Sequence, residues 1–293
     1  MKYRLITYLL LVFIGTAICD FACRLIFTPI FQNQTSDTEI GANNKYISYK
    51  EPANLIILGD SRANHHYISA LMEDSLDRTV YNYGFDGKCI FYQYLCLLRA
   101  IENGGLQTVL LDLSPAQISE ERLEQEMSGL FLYYWYNDTA KTIVNEVQGR
   151  YYNIILASSL VQYNSEFLHL FSKIPNVKGY SPLPYTGKAI DTTKEVEVLN
   201  DNYYSENAKK YLQRIKKVCS DNHIRLIVCI SPALNFHPET EKYLENLCLD
   251  YDIECWNKTH FISDPLLFRD LVHINEKGAF VYTQEIIRML QEQ

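Results

Sequence analysis

The chain has 293 residues, 47% of them hydrophobic and 21% charged, which is the composition of an ordinary globular protein able to bury one substantial core. Its formal net charge of −8 and the lack of any cluster of Lys and Arg argue against a nucleic-acid partner, because contact with a phosphate backbone needs concentrated positive charge.

In chain order, Lys2 and Arg4 precede an uncharged apolar stretch, residues 5–19, that ends at Asp20. This is the pattern of an export or anchoring segment, expected to occupy residues 1–27. No Ala-x-Ala cleavage site follows it, so an uncleaved single-pass anchor is favoured over a cleaved signal that would release the protein by secretion. The cationic start would stay in the cytoplasm and place the body on the outer, periplasmic side of the inner (cytoplasmic) membrane. Residues 28–52 are mostly polar and read as a tether, with the folded domain expected over 53–293.

Within that domain, strand-like apolar runs occur at Leu55–Leu58, Thr79–Tyr83, Val109–Leu113, Ile224–Ile230 and Ile253–Trp256. They alternate with helical stretches at Tyr92–Asn103, Ala208–Asp221 and Glu239–Asp250, and a last helix is expected from Glu276 to Leu290. Such alternation predicts an α/β fold, a parallel sheet covered by helices. Residues 117–207 interrupt the series and read as a helical and aromatic insertion. Its segment Gly179–Gly187, rich in Gly, Pro and Tyr, is a candidate lid over the crevice.

Two short motifs carry the chemistry. The first strand ends in Gly59-Asp60-Ser61-Arg62, and the segment before the last helix reads Asp270-Leu271-Val272-His273. A serine hydroxyl needs an adjacent base, a group that orients the base, and donors for the developing oxyanion. Ser61, His273 and Asp270 can fill the first three roles. The end of a strand is also where open α/β sheets form their ligand crevices.

At these residues the sequence resembles the SGNH/GDSL hydrolase superfamily, whose first block is Gly-Asp-Ser and whose last is Asp-x-x-His. The stretch Asn82-Tyr83-Gly84-Phe85-Asp86-Gly87 is similar to the second block. The resemblance implies a flavodoxin-like three-layer α/β/α fold with about five parallel strands. It also implies a catalytic set of Ser61, Asp270 and His273, and an oxyanion hole from the amides of Ser61 and Gly87. Asp60, Arg62, Asn82, Gly84 and Ser114 would shape the site. The third block departs from the family: where Gly-x-Asn-Asp is expected, this chain has Leu110-Leu111-Asp112-Leu113-Ser114-Pro115, without the oxyanion asparagine. A similar departure occurs in membrane-anchored relatives that serve acylation of cell-envelope polymers. The resemblance therefore implies an extracytoplasmic esterase or O-acyltransferase acting on acyl, foremost acetyl, esters of envelope or extracellular polysaccharide. The alternative is a catalytically degenerate binding or scaffold subunit that partners a membrane O-acyltransferase.

No cofactor or metal is expected, because no Cys/His cluster has zinc-binding spacing. His65-His66 points to a surface or substrate-edge role, since neighbours on a helix face different ways. Of the eight cysteines, Cys248 and Cys255 are the most plausible bridge and Cys229 reads as core filler. The aromatic runs Tyr133–Tyr136 and Tyr180–Tyr185 suit either core packing or stacking against sugar rings.

Overall fold

A computed structural model describes residues 2–34, 45–163, 178–191, 204–234 and 236–292. Helix α1 (Lys2–Gln32) is followed by one short turn, α2 (Lys45–Ser48), and then by β1 (Leu55–Leu58). Two helices, α3 (Ser61–His66) and α4 (Ser69–Leu76), lead to β2 (Val80–Asn82), and α5 (Ile90–Asn103) leads to β3 (Thr108–Asp112). Six helices come next: α6 (Pro115–Ile118), α7 (Glu120–Glu126), α8 (Ser128–Phe131), α9 (Asp138–Gln148), α10 (Tyr152–Ile155) and α11 (Ser159–Tyr163). The series resumes with α12 (Glu206–Asp221), β4 (Arg225–Ile230), α13 (Pro238–Asp250), β5 (Glu254–Asn257) and α14 (Glu276–Gln291).

The five strands form one parallel sheet in the order β2-β1-β3-β4-β5, the flavodoxin-like arrangement. Both faces are covered, which is why the strands read as continuous apolar runs rather than alternating ones. The pleat divides their side chains between two cores. Ile56, Leu58, Val109, Leu111, Val228 and Ile230 face α5, α12 and α13, whereas Leu55, Ile57, Leu110, Ile227 and Cys229 face α4 and α14. The strand order reverses at β1, which pairs with β2 on one side and β3 on the other, and a crevice opens beyond the carboxyl ends at such a point.

Two expectations are corrected, that of the tether and that of the cysteine bridge. The segment read as a tether is partly built into the body: Phe31 and Lys45 are buried, and Tyr49 stacks on Tyr81 with ring centroids 3.5 Å apart. The aromatic faces and the methylene stem of the lysine gain from burial even in a polar stretch. Of the two readings of the Tyr133–Tyr136 run, core packing holds for Tyr133 and Tyr134, which are fully buried. Cys248 and Cys255 meet as thiols hydrogen-bonded to one another, not as a disulfide. Of the insertion, 164–177 and 192–203 lie outside the described residues.

Helix α1 is long and apolar enough to cross a membrane, as an anchor or a signal segment would be. Residues 3–19 are exposed throughout, while Asp20, Cys23, Arg24, Phe27, Thr28 and Phe31 form one partly or fully buried stripe at helical spacing.

The turn from β1 into α3 depends on Gly59, whose φ is +147°. A Cβ there would meet the Ala63 Cβ at 2.6 Å and the Asp112 carbonyl at 2.8 Å. Gly59→Ala therefore combines a forbidden backbone region with overpacking, and we expect a loss of about 3 kcal/mol in urea denaturation. An unchanged midpoint would show that β1 and α3 can move apart at little cost.

Candidate active site

Ser61 opens α3 directly after the β1 turn. Asp60 caps that helix by accepting from the Arg62 amide at 3.0 Å, and the Ser114 hydroxyl donates to the other Asp60 oxygen. Ser114 is thus buried and committed to Asp60, not turned toward the crevice as a substitute for the absent asparagine.

Across the crevice, the loop before α14 brings His273 to Ser61, with Nε2 and Oγ 2.7 Å apart. Its other ring nitrogen lies 2.8 and 3.0 Å from the two Asp270 oxygens. Asp270 also accepts from the backbone amides of Val272 at 2.9 Å and His273 at 2.8 Å, so the Asp-x-x-His spacing folds into a self-closed turn. Burial acts to raise the Asp270 carboxyl, but the His273 bond and charge together with those amides hold it below its ordinary value. With an ionised Asp270 on Nδ1–H, His273 presents a bare Nε2 to the Ser61 hydroxyl.

The second-block loop is tied to α3 at close range. Asn82 is buried and donates to the carbonyls of Ala63 (2.6 Å) and Tyr67 (3.2 Å), while its oxygen accepts from the Gly84 amide at 2.7 Å. A Cβ on Gly84 would lie 2.6 Å from the Ala63 carbonyl carbon, so only glycine permits this approach. Gln93 secures the turn from below, accepting from the Gly59 amide at 3.0 Å and donating to its carbonyl at 2.6 Å. Among the described residues, the amides of Ser61 and Gly87 have no intramolecular acceptor.

Arg62, expected to shape the site, is held by groups that the sequence motifs left unseen. Arg62 is buried, donates to the hydroxyl and carbonyl of Ser231, and lies 3.6 Å from Asp112, which also accepts from the Tyr67 hydroxyl at 2.6 Å. Burial pushes the Asp112 carboxyl up despite the Arg62 charge. His65 and His66 are both buried, which corrects their surface reading. The Ile274 amide donates to His66 Nε2 at 3.1 Å, so Nδ1 carries the proton and donates to the Ser231 hydroxyl at 2.9 Å. Burial, then the charges of Arg62 and the neighbouring histidines, keep His66 well below its ordinary value. A neutral His66 thereby joins α3 to the residue after His273.

Lys45 forms a second hub. Its buried ammonium donates to the Asn64 side-chain oxygen at 2.8 Å and to the carbonyls of Gly84 and Gly179, matching its three N–H bonds. It joins α3, the second-block loop and the segment expected to act as a lid. That segment runs beside α3: the Ser181 amide donates to the Asn64 carbonyl at 3.1 Å, and the Glu276 amide donates to the Leu183 carbonyl at 2.8 Å. His65 donates to the Ser181 carbonyl at 2.7 Å and to Asp86 at 3.1 Å, and Asp86 also accepts from Asn64 at 2.7 Å.

Comparison with family models and with curated proteins returns no match. Among solved structures, a provisionally assigned acylhydrolase of Bacteroides fragilis is 10% identical, covering 88% of this chain and 99% of its own, with a TM-score of 0.43. An acetyl xylan esterase is 11% identical over 80% and 98%, with a TM-score of 0.42. A GDSL-like lipase of Bacteroides thetaiotaomicron is 9% identical over 81% and 87%, with a TM-score of 0.40. At these values the reading of the site rests on its own side chains.

Burial pulls Lys45 down to about 7 against the attraction of Asp86, and removing the amine takes a donor from each of three buried oxygens. We expect Lys45→Met to lose about 2 kcal/mol by urea denaturation, since a buried orphaned acceptor costs about 1–3 kcal/mol and the relief of desolvation offsets part of the sum. A variant as stable as the parent would remove Lys45 from the set that holds the loops.

The His65–Asp86 pair gives a pH dependence. Burial opposes charge on His65, but the Asp86 bond and charge and the Ser181 carbonyl raise it above 6.5; burial likewise opposes charge on Asp86, which its His65 and Asn64 bonds bring down to about 2. A raised base contributes fully below its unfolded value and loses that contribution as pH rises through the folded one. Hydrogen exchange of the Ser181 amide, corrected for its intrinsic rate, should therefore quicken as pH climbs through the His65 transition. His65→Gln should abolish the step, and a step that survives in that variant would assign it to another group.

Proposed function

We propose that this chain is a membrane-tethered serine esterase or O-acyltransferase acting on acyl, foremost acetyl, esters of cell-envelope or extracellular polysaccharide. The observation that carries the reading is the contact of Ser61 with His273 Nε2 at 2.7 Å while Asp270 holds the opposite ring nitrogen. In this mechanism the Ser61 oxygen attacks the ester carbonyl and His273 takes its proton. The amides of Ser61 and Gly87 receive the oxyanion of the tetrahedral intermediate, and Asp270 stabilises the imidazolium. Collapse breaks the ester C–O bond, His273 returns the proton to the leaving alcohol, and an acyl-Ser61 remains. Water or a sugar hydroxyl, deprotonated by His273, then accepts the acyl group and restores the serine.

The acyl-polysaccharide assignment and the location rest on the resemblance and on the membrane-length helix with Lys2 and Arg4 at its start. With α1 in the inner membrane, the body lies on the periplasmic side; cleavage after α1 would instead secrete it.

The second reading, a non-catalytic binding subunit beside a membrane O-acyltransferase, is favoured by the missing third-block asparagine and by the commitment of Ser114 to Asp60. Against it, a scaffold has no use for a serine, a base and an orienting carboxylate in hydrogen-bond register.

The test is intact-mass analysis of the full chain in detergent after exposure to an activated acetyl ester. We expect one acetyl adduct, absent in Ser61→Ala, and slowed on the order of 10⁴-fold in Asp270→Asn. Transfer of that acetyl to an oligosaccharide in preference to water would identify a transferase. A folded wild type that forms no adduct with any of several acyl donors would favour the binding subunit.

A further inference from the structure

The docked part of α1 sets the level of the body against the exposed part of the helix. Residues 3–19 rise about 25 Å at 1.5 Å per residue, close to the about 30 Å of a bilayer's hydrocarbon core, so the first docked residue, Asp20, stands at the core's boundary.

Asp20 is fully engaged there. Its carboxylate accepts from the Ser158 hydroxyl at 2.7 Å and from the amides of Ser159 (3.0 Å) and Leu160 (3.1 Å), which makes it the N-terminal cap of α11, supplied by another helix. One turn further on, Arg24 donates to the Ala157 carbonyl at 2.5 Å and lies over the Trp135 ring at 5.4 Å. Thr28 meets the Tyr163 hydroxyl at 2.5 Å, and Phe27 packs against the Tyr163 ring. The α10–α11 corner is therefore held at the height of Asp20 and Arg24.

This corner turns apolar side chains outward. Ile154 is 80% exposed and Tyr151 61%, and Ile155, Leu160, Val161 and Trp135 are exposed as well. A soluble surface rarely gathers so much apolar area in one place. Lys141 also stands over Trp135 at 5.4 Å, so two cations, Arg24 and Lys141, lie beside this ring. Aromatic rings with cations beside them suit the headgroup level of a bilayer.

We propose that the α10–α11 corner is a second membrane contact, seated in the headgroup and upper acyl region of the same phospholipid bilayer that α1 enters. The inference rests on reading α1 as a membrane helix. The cap at Asp20 then does more than end a helix: it fixes the domain's tilt, so that the body rests on the bilayer by a defined face instead of swinging from a tether.

Depth-dependent quenching by phospholipids brominated at different acyl positions tests this on the full chain in vesicles. The reporters, each the single tryptophan in a Trp135→Phe/Trp256→Phe background, are Ile154→Trp, Val12→Trp for the span, and Leu249→Trp for an exposed apolar residue on another helix. The expected result is quenching of the Ile154 position by shallow bromines, of the Val12 position by deep ones, and none at the Leu249 position. Quenching at Val12 without any at Ile154 would overturn the second contact while leaving the anchor in place, and would leave the patch for a protein partner. Absence of quenching at both positions would overturn the anchor and this inference together.

Discussion

Ser61 is held by the short helix it begins, and that helix is fastened on each side by buried hydrogen bonds. Asn82 and Gly84 bind it to the second-block loop, Lys45 joins Asn64 to two further carbonyls, Arg62 reaches Ser231, and His66 takes the Ile274 amide. These groups lie in a low-dielectric interior, where a satisfied polar network is stiff and a broken one is expensive. The consequence is positional. Ser61, the loop that carries Gly87 and the loop that carries His273 are parts of one network, although more than two hundred residues separate Ser61 from His273.

The network also occupies the end of β3, where the resembled family would place its third-block asparagine. Asp112 and Ser114, at the corresponding place, turn inward: Asp112 to Arg62 and Tyr67, Ser114 to Asp60. The end of β3 buttresses α3 in this protein instead of contributing a side-chain donor to the crevice. In the mechanism proposed above, the oxyanion would then be left to the two backbone amides of Ser61 and Gly87. Backbone donors held by a rigid turn need no reorganisation when charge develops.

Much of this could be read from residue order. The five apolar runs became the five strands within about a residue or two at each end, because strands buried on both faces have no alternation to blur them. Gly-Asp-Ser and Asp-x-x-His are local turns, so their geometry follows from short-range rules. Lys45 was not legible, since a lone lysine in a polar stretch looks solvated until three distant carbonyls converge on it. His66 hides for a related reason: its partners, Ser231 and Ile274, lie 165 and 208 residues away. Asp20 in an apolar helix reads as an interruption, and only the fold reveals it as the cap of α11.

The most direct test of the account is a crystal structure of the chain after reaction with a small phosphonate, whose tetrahedral phosphorus carries an oxygen where the oxyanion would stand. The account predicts a bond from phosphorus to Ser61 Oγ and that oxygen within about 2.7–3.1 Å of the amides of both Ser61 and Gly87. An adduct whose oxygen faces solvent, with the Gly87 amide turned away, would contradict it.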